Sequence, residues 1–200
     1  MTSTIISDLG KVVLWFDNNI FYRKMTAYSA KSVDEMRAIV HGDFTFIELF
    51  DEGALSPEQF YESAVSLLGA RVGYNEFVAA YVDVFSRNQP AIDLLKGLKG
   101  RYKLVLLSNT DPLRFGFVRE RFPDIFFFDE YVLSYEVKAL KPGPEIYKEA
   151  LGRAAAPPSA CVFIDDMEEN IAGAAALGIR TIHYGPNTDL EKSLLSLGVR

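Results

Sequence analysis

Three apolar runs in this chain end on residues able to act on an anion. Thr4 to Ser7 leads into Asp8-Leu9-Gly10, Lys103 to Leu107 into Ser108-Asn109-Thr110, and Cys161 to Ile164 into Asp165-Asp166. As neighbouring strands, two of them would deliver carboxylates, and the third a hydroxyl followed by backbone amides, to one edge of a sheet. That set suits phosphoryl transfer. A carboxylate attacking a phosphate dianion meets a repulsion of about 1 kcal/mol at 4 Å in water and about 4 at an effective dielectric of 20. Magnesium takes hard oxygen ligands from one or two carboxylates, keeps several waters and relieves that repulsion, and Asp8 with Asp166 is the natural pair to hold it. Ser108 and the amides around Asn109 and Thr110 can hold the remaining phosphate oxygens at a strand-to-helix turn. Lys141, placed before Pro142 and a helix start, offers a compact positive charge to phosphate and nucleophile together. Each residue alone is ordinary, since an aspartate after a strand is commonly a turn or cap residue. Their joint order carries the reading.

The elements that must position these groups follow from the pattern around them. The second half alternates short apolar runs with amphipathic stretches, which predicts an α/β fold with a doubly wound parallel sheet covered on both faces. Expected strands are Thr4 to Ser7, Lys103 to Leu107, Cys161 to Ile164 and Arg180 to Tyr184. Helices are expected from Pro112 to Phe122, Pro144 to Ala155 and Glu168 to Leu177, the last ended by Gly178. In such sheets ligands bind beyond the carboxyl ends of the strands, where the strand order reverses.

Residues 15 to 88 show helical patterns in succession and no convincing strand, which predicts a helical insertion with its own small core. The core proper would then be 1–14 with 89–200. Ser56-Pro57-Glu58-Gln59 predicts a helix start, with Ser56 as cap and Gln59 closing a capping box. Phe60, Ala64, Leu67 and Leu68 fall on one helix face, and Phe77, Tyr81, Val84 and Phe85 on the next.

In these motifs the chain resembles the haloacid dehalogenase-like (HAD) hydrolase superfamily along its full length. The resemblance rests on Ile5-Ile6-Ser7-Asp8-Leu9-Gly10-Lys11-Val12, Leu106-Leu107-Ser108-Asn109-Thr110, Lys141-Pro142-Gly143-Pro144-Glu145-Ile146-Tyr147, and Val162 to Asp166 with Glu169-Asn170 and Ala174 to Gly178. It implies a Rossmann-like core, Asp8 as nucleophile forming an aspartyl-phosphate, and Ser108 and Lys141 as phosphate and charge partners. It also implies magnesium held by Asp8, the Gly10 carbonyl and Asp166, with Asp165 of open rank, and it makes residues 15–88 a cap over the site. The Asp-Leu-Gly start and Asp51-Glu52-Gly53-Ala54-Leu55-Ser56 are similar to bacterial sugar-phosphate phosphatases of the alpha-glucose-1-phosphate type.

One position departs from the superfamily pattern, because most of its phosphatases carry an acid two residues after the nucleophile and here that residue is Gly10. A general acid contributes roughly a hundred- to ten-thousand-fold, so substrates with acidic leaving groups should tolerate its loss best. Asp17 or a residue of the helical insertion is a candidate substitute. The alternatives are a metal-independent 2-haloacid dehalogenase, which the extra carboxylates disfavour beside an anionic substrate, and a module that binds a phosphorylated ligand without turnover.

Composition narrows the partners. A net charge of -6 repels phosphate backbones and anionic membranes, so a small phosphorylated metabolite is expected rather than nucleic acid or membrane. The N-terminus shows neither a basic region nor a signal-length apolar stretch, which suggests a cytoplasmic protein. The oligomeric state is not readable. Cys161 is expected to be a buried thiol, and His41 and His183 lie far apart in sequence. Arg23 and Glu52 are candidate substrate contacts from the insertion. Trp15 and Phe16 are expected to pack at its hinge, and Phe126-Phe127-Phe128 to fill core beneath the sheet.

Overall fold

The computed structural model describes residues 1–42 and 44–200. Strands β1 (Thr4–Ser7), β4 (Lys103–Ser108), β5 (Glu130–Leu133), β6 (Cys161–Asp165) and β7 (Arg180–His183) form one sheet in the order β5-β4-β1-β6-β7, every pair parallel. β1 lies between β4 and β6, with Ser7 in register with both Leu106 and Ile164. Asp8, Ser108 and Asp165 therefore emerge side by side at the same edge. The chain steps from β1 towards β4 but from β6 towards β7, so the reversal of strand order falls between β1 and β6, where Asp8 and Asp165-Asp166 stand.

Strand periodicity divides the core into two layers. Ile5, Leu104, Leu106, Val162 and Ile164 face helices α6 (Gln89–Leu98), α7 (Pro112–Arg121) and α11 (Leu190–Ser196). Ile6, Val105, Leu107 and Phe163 face α9 (Pro144–Ala154) and α10 (Glu168–Ala176). Local signals set the helix ends. Asp111 caps α7 by accepting from the Arg114 amide at 2.9 Å, Pro112 and Pro144 take first-turn positions, and Gly178 adopts a φ of 82° after α10. Cys161 is buried, Phe128 is buried, and Phe126 and Phe127 pack half-buried on the first layer.

Helices α1 (Asn18–Met25), α2 (Val33–Gly42), α3 (Thr45–Asp51), α4 (Pro57–Leu68) and α5 (Tyr74–Val82) gather a separate hydrophobic cluster. The predicted capping box is present: Ser56 Oγ accepts from the Gln59 amide at 3.2 Å, and Gln59 Oε1 accepts from the Ser56 amide at 2.8 Å. Phe60 is the centre of the cluster, its ring 4.2 Å from that of Phe50 and 4.9 Å from that of Tyr81.

Three expectations need correction. Residues 14–16 and 85–87 form an antiparallel ribbon, β2 (Leu14–Phe16) with β3 (Phe85–Arg87), where no strand was expected. Val84 and Phe85 consequently lie beyond the end of α5 rather than on its face. A three-residue strand is too short to show a period, and its partner is remote in sequence. The edge strand β5 was missed for a related reason, since its half-buried start Glu130-Tyr131 breaks the apolar run. The ribbon is fastened to the core by Asn88, whose Nδ2 donates to the Val12 carbonyl at 2.7 Å and to Tyr184 Oη at 2.9 Å. The short helix α8 (Ser134–Val137) completes the set, and no helix among the described residues is long and apolar enough to cross a membrane.

Because Phe60 is 2% exposed and surrounded by rings, Phe60→Ala should cost about 3–5 kcal/mol in urea denaturation. A loss below about 1 kcal/mol would contradict this packing.

Candidate active site

Four of the residues singled out above converge. The Lys141 ammonium, 2% exposed, lies 2.9 Å from Asp8 Oδ1 and 2.6 Å from Asp165 Oδ2 and also donates to the Leu107 carbonyl at 3.3 Å. Its loop is held by Asn109, which accepts from the Lys141 amide and donates to the Lys141 carbonyl, both at 2.9 Å. The Asn109 side chain is therefore committed to positioning Lys141. Ser108 is buried at the end of β4 and lines the same cavity as Gly10, Asn109, Thr110 and Lys141.

The rank of Asp165 follows from its partners. Besides Lys141, it accepts from the Met167 amide at 2.8 Å and from Asn170 Nδ2 at 3.0 and 3.2 Å, and it is wholly buried. Its oxygens are satisfied by protein donors. Asp166 is more open, and among the described residues its carboxylate meets only the half-exposed Lys11 ammonium, at 3.2 Å. Of the pair, Asp166 is the one free to take another cation.

The donor set fits magnesium. Asp8, Asp165 and Asp166 each offer a carboxylate oxygen within 4.8 Å of the other two, the hard ligand chemistry this ion takes. The electrostatics point the same way. Burial pushes the Asp8 carboxyl up to about 7, Lys141 opposing this and Asp165 adding to it. For Lys141, burial alone would favour the neutral amine, but the Asp8 and Asp165 carboxylates outweigh it and hold the group above its ordinary value. Lys141 and Lys11 together leave the three carboxylates short of positive charge.

A family model of haloacid dehalogenase-like hydrolases matches residues 2–178. The chain belongs to that family. It is 27% identical over 201 residues to the D-ribitol-5-phosphate phosphatase of Bacteroides thetaiotaomicron, covering 97% of each chain. It also resembles, at 27% identity over 142 residues, the sesquiterpene phosphatase astK of Aspergillus oryzae, covering 68% of this chain and 70% of that one. Among solved structures, the HAD family enzyme bt-2542 of B. thetaiotaomicron in complex with magnesium and inorganic phosphate aligns with a TM-score of 0.83 at 25% identity, covering 96% of this chain and 99% of that one.

The hydrolase's cavity, about 650 Å³, runs from the strand ends into the helical insertion. Phe16 lines it, whereas Trp15 stacks on Tyr184 with ring centroids 6.4 Å apart and lies outside the lining. A Cβ at position 10 would sit 3.0 Å from the Phe16 ring, so a side chain there would need that ring to give by a few tenths of an ångström. Arg23 and Glu52 are not in the lining. Arg23 is exposed and paired with Asp17 at 3.4 Å, and Glu52 is the residue that caps the end of α3. Asp17 is likewise outside the lining. It caps α1, and the Asn19 amide first, then the Asn19 side chain and Arg23, hold its carboxyl below the usual range.

The polar groups that do line the wall include Asn18, Asn19, Arg37, His41, Asp51 and Arg114. None was singled out as a contact from sequence, although Asp51 neighbours Glu52 and a one-residue shift of helical phase would have found it.

Removing the buried ammonium should leave two carboxylates unpaired. Lys141→Met is expected to lose about 3–5 kcal/mol of stability at pH 7, and Asp8→Asn in the same chain should recover part of that loss. Additive effects of the two substitutions in urea denaturation would contradict the coupling.

Proposed function

We propose that this chain is a magnesium-dependent phosphomonoesterase for a small phosphorylated metabolite, with Asp8 as nucleophile. The observation that carries this reading is the single ammonium of Lys141 held between Asp8 and Asp165 beside the open carboxylate of Asp166, with Ser108 in the same cavity. The whole-length likeness to a phosphatase of a sugar-alcohol phosphate supports it, as does the fold shared with an enzyme bound to magnesium and phosphate.

In this reading Asp8 attacks phosphorus, the bond to the leaving oxygen breaks, and an aspartyl-phosphate forms that water then hydrolyses. Lys141 keeps Asp8 ionised and shares the growing charge on the phosphoryl oxygens, and Ser108 donates to one of them. Asp8, the Gly10 carbonyl and Asp166 would hold magnesium, which would supply charge neutralisation for the attack. Residues 15–88 act as a cap over a core of 1–14 and 89–200, and the ribbon is the hinge between them. Asn18, Asn19, Arg37 and His41 give the wall donors and acceptors suited to hydroxyl groups, which favours a sugar or sugar-alcohol phosphate.

Asp8→Asn should abolish turnover of p-nitrophenyl phosphate in magnesium while keeping the circular dichroism spectrum and denaturation midpoint. Second-shell partners alone are worth about 10–100-fold in metal affinity, so Asp166→Ala should raise the magnesium needed for half-maximal rate by at least about tenfold. Activity indifferent to magnesium would favour dehalogenase-type chemistry instead. Tight binding of phosphate esters without any turnover would favour a pure binding module.

A further inference from the structure

The phosphomonoesterase reading leaves one chemical role unassigned, because Gly10 carries no acid to protonate the leaving oxygen. Among the carboxyls that line the cavity, that of Asp51 is tied closest to the strand-end turn of Ser108 by a backbone contact. Asp51 is the last residue of α3, and its carbonyl accepts from Ser134 Oγ at 2.5 Å. The same Ser134 oxygen accepts from the Thr110 amide at 2.9 Å, two residues beyond Ser108. A single hydroxyl thus pins the end of α3 to the turn that holds the phosphate-binding serine.

The surroundings of Asp51 explain which group keeps a proton. Asp111 and Arg114 face it from the start of α7, Tyr81 from α5, and Glu48 from its own helix. Asp111 is fully buried and has donors on both oxygens, the Arg114 amide at 2.9 Å and Tyr81 Oη at 2.8 Å. The Arg114 guanidinium lies 4.1 Å from the centre of the Tyr81 ring and donates to Asn18 Oδ1 at 2.8 Å. No side chain or amide among the described residues hydrogen-bonds or ion-pairs with the Asp51 carboxyl, which opens on the cavity. Two carboxyls share one guanidinium, and the proton belongs on the one without donors. Burial first, then the Asp111 charge, push Asp51 up to about 8 against the pull of Arg114, with Glu48 adding to the push.

We propose that Asp51 is the general acid of this site, giving its carboxyl proton to the leaving oxygen of the phosphate ester. The proposal rests on the phosphomonoesterase reading. As an Asp8 oxygen bonds to phosphorus and the ester P–O bond breaks, the departing alkoxide takes the Asp51 proton and leaves as an alcohol. Water then attacks the aspartyl-phosphate, its proton returns to the Asp51 carboxylate, and inorganic phosphate departs with Asp8 restored. An acid mounted on the helical insertion protonates only when the insertion is docked on the core, so it serves substrates large enough to hold the two together. With it the enzyme handles primary alkyl phosphates, whose leaving groups need a proton.

The test compares the full-length wild-type chain with Asp51→Asn in magnesium, on p-nitrophenyl phosphate and on a panel of primary alkyl phosphates including ribose 5-phosphate. The nitrophenolate leaves without a proton and an alkoxide does not. The variant should lose kcat on its best alkyl phosphate by about a hundredfold or more, a loss at least about thirtyfold larger than on the nitrophenyl ester. Wild-type kcat on the alkyl ester should fall as pH rises through about 8, where Asp51 ionises, and the nitrophenyl rate should not follow it. That comparison needs no variant to fold. Equal losses on both esters, no loss on either, parallel pH profiles, or a wild type that cleaves only the nitrophenyl ester would each overturn the assignment. Nitrophenyl phosphatase activity that survives Asp8→Asn would instead overturn the underlying reading, and the proposal with it.

Discussion

The structure turns on one buried ammonium. Lys141 is held between Asp8 and Asp165, and without it the strand ends β1 and β6 would bring like charges together in a place water hardly reaches. Much of the architecture serves that contact. The parallel order sets β1 between β4 and β6, so the carboxylates and Ser108 emerge together, and Asn109 grips the backbone of Lys141 from the adjacent strand end. Two ammoniums, Lys141 and the half-exposed Lys11, against three clustered carboxylates leave the pocket net negative, which disfavours a phosphate without a further cation. A bound divalent cation, as in the proposed function, would relieve that charge.

The parts legible in the sequence were those set by local chemistry. Three of the four expected strands could be read because each is a short buried run ending in a functional residue, and the fourth because it follows a helix closed by Gly178. The capping box at Ser56 was readable for the same reason, since its partners lie three residues apart. What escaped depends on contacts distant in the chain. The β2–β3 ribbon joins residues 14–16 to 85–87, and neither stretch signals its partner. The cavity wall escaped similarly: helical patterns show which residues share a face, but not which face turns towards another layer. That is why the lining by Asp51 and Arg37 could not be read from the sequence. The sequence leaves Asp17 open as a substitute acid, and the structure makes it the cap of α1.

Gly10 links the chemistry to the packing. Phe16 occupies the space a side chain at that position would need, and Phe16 belongs to the ribbon that joins insertion and core. The packing of Phe16 in the ribbon thus bears directly on what position 10 can carry. If Asp51 is the proton donor proposed above, the insertion would have a chemical role, and Ser134, which bonds both Asp51 and Thr110, would link that role to the core.

Acid-quenching the enzyme during turnover of a phosphorus-32-labelled ester in magnesium, followed by peptide mapping, tests the central assignment most directly. The account predicts hydroxylamine-labile label on the peptide that contains Asp8. Turnover with no trapped phosphoryl group, or with label on another peptide, would contradict it.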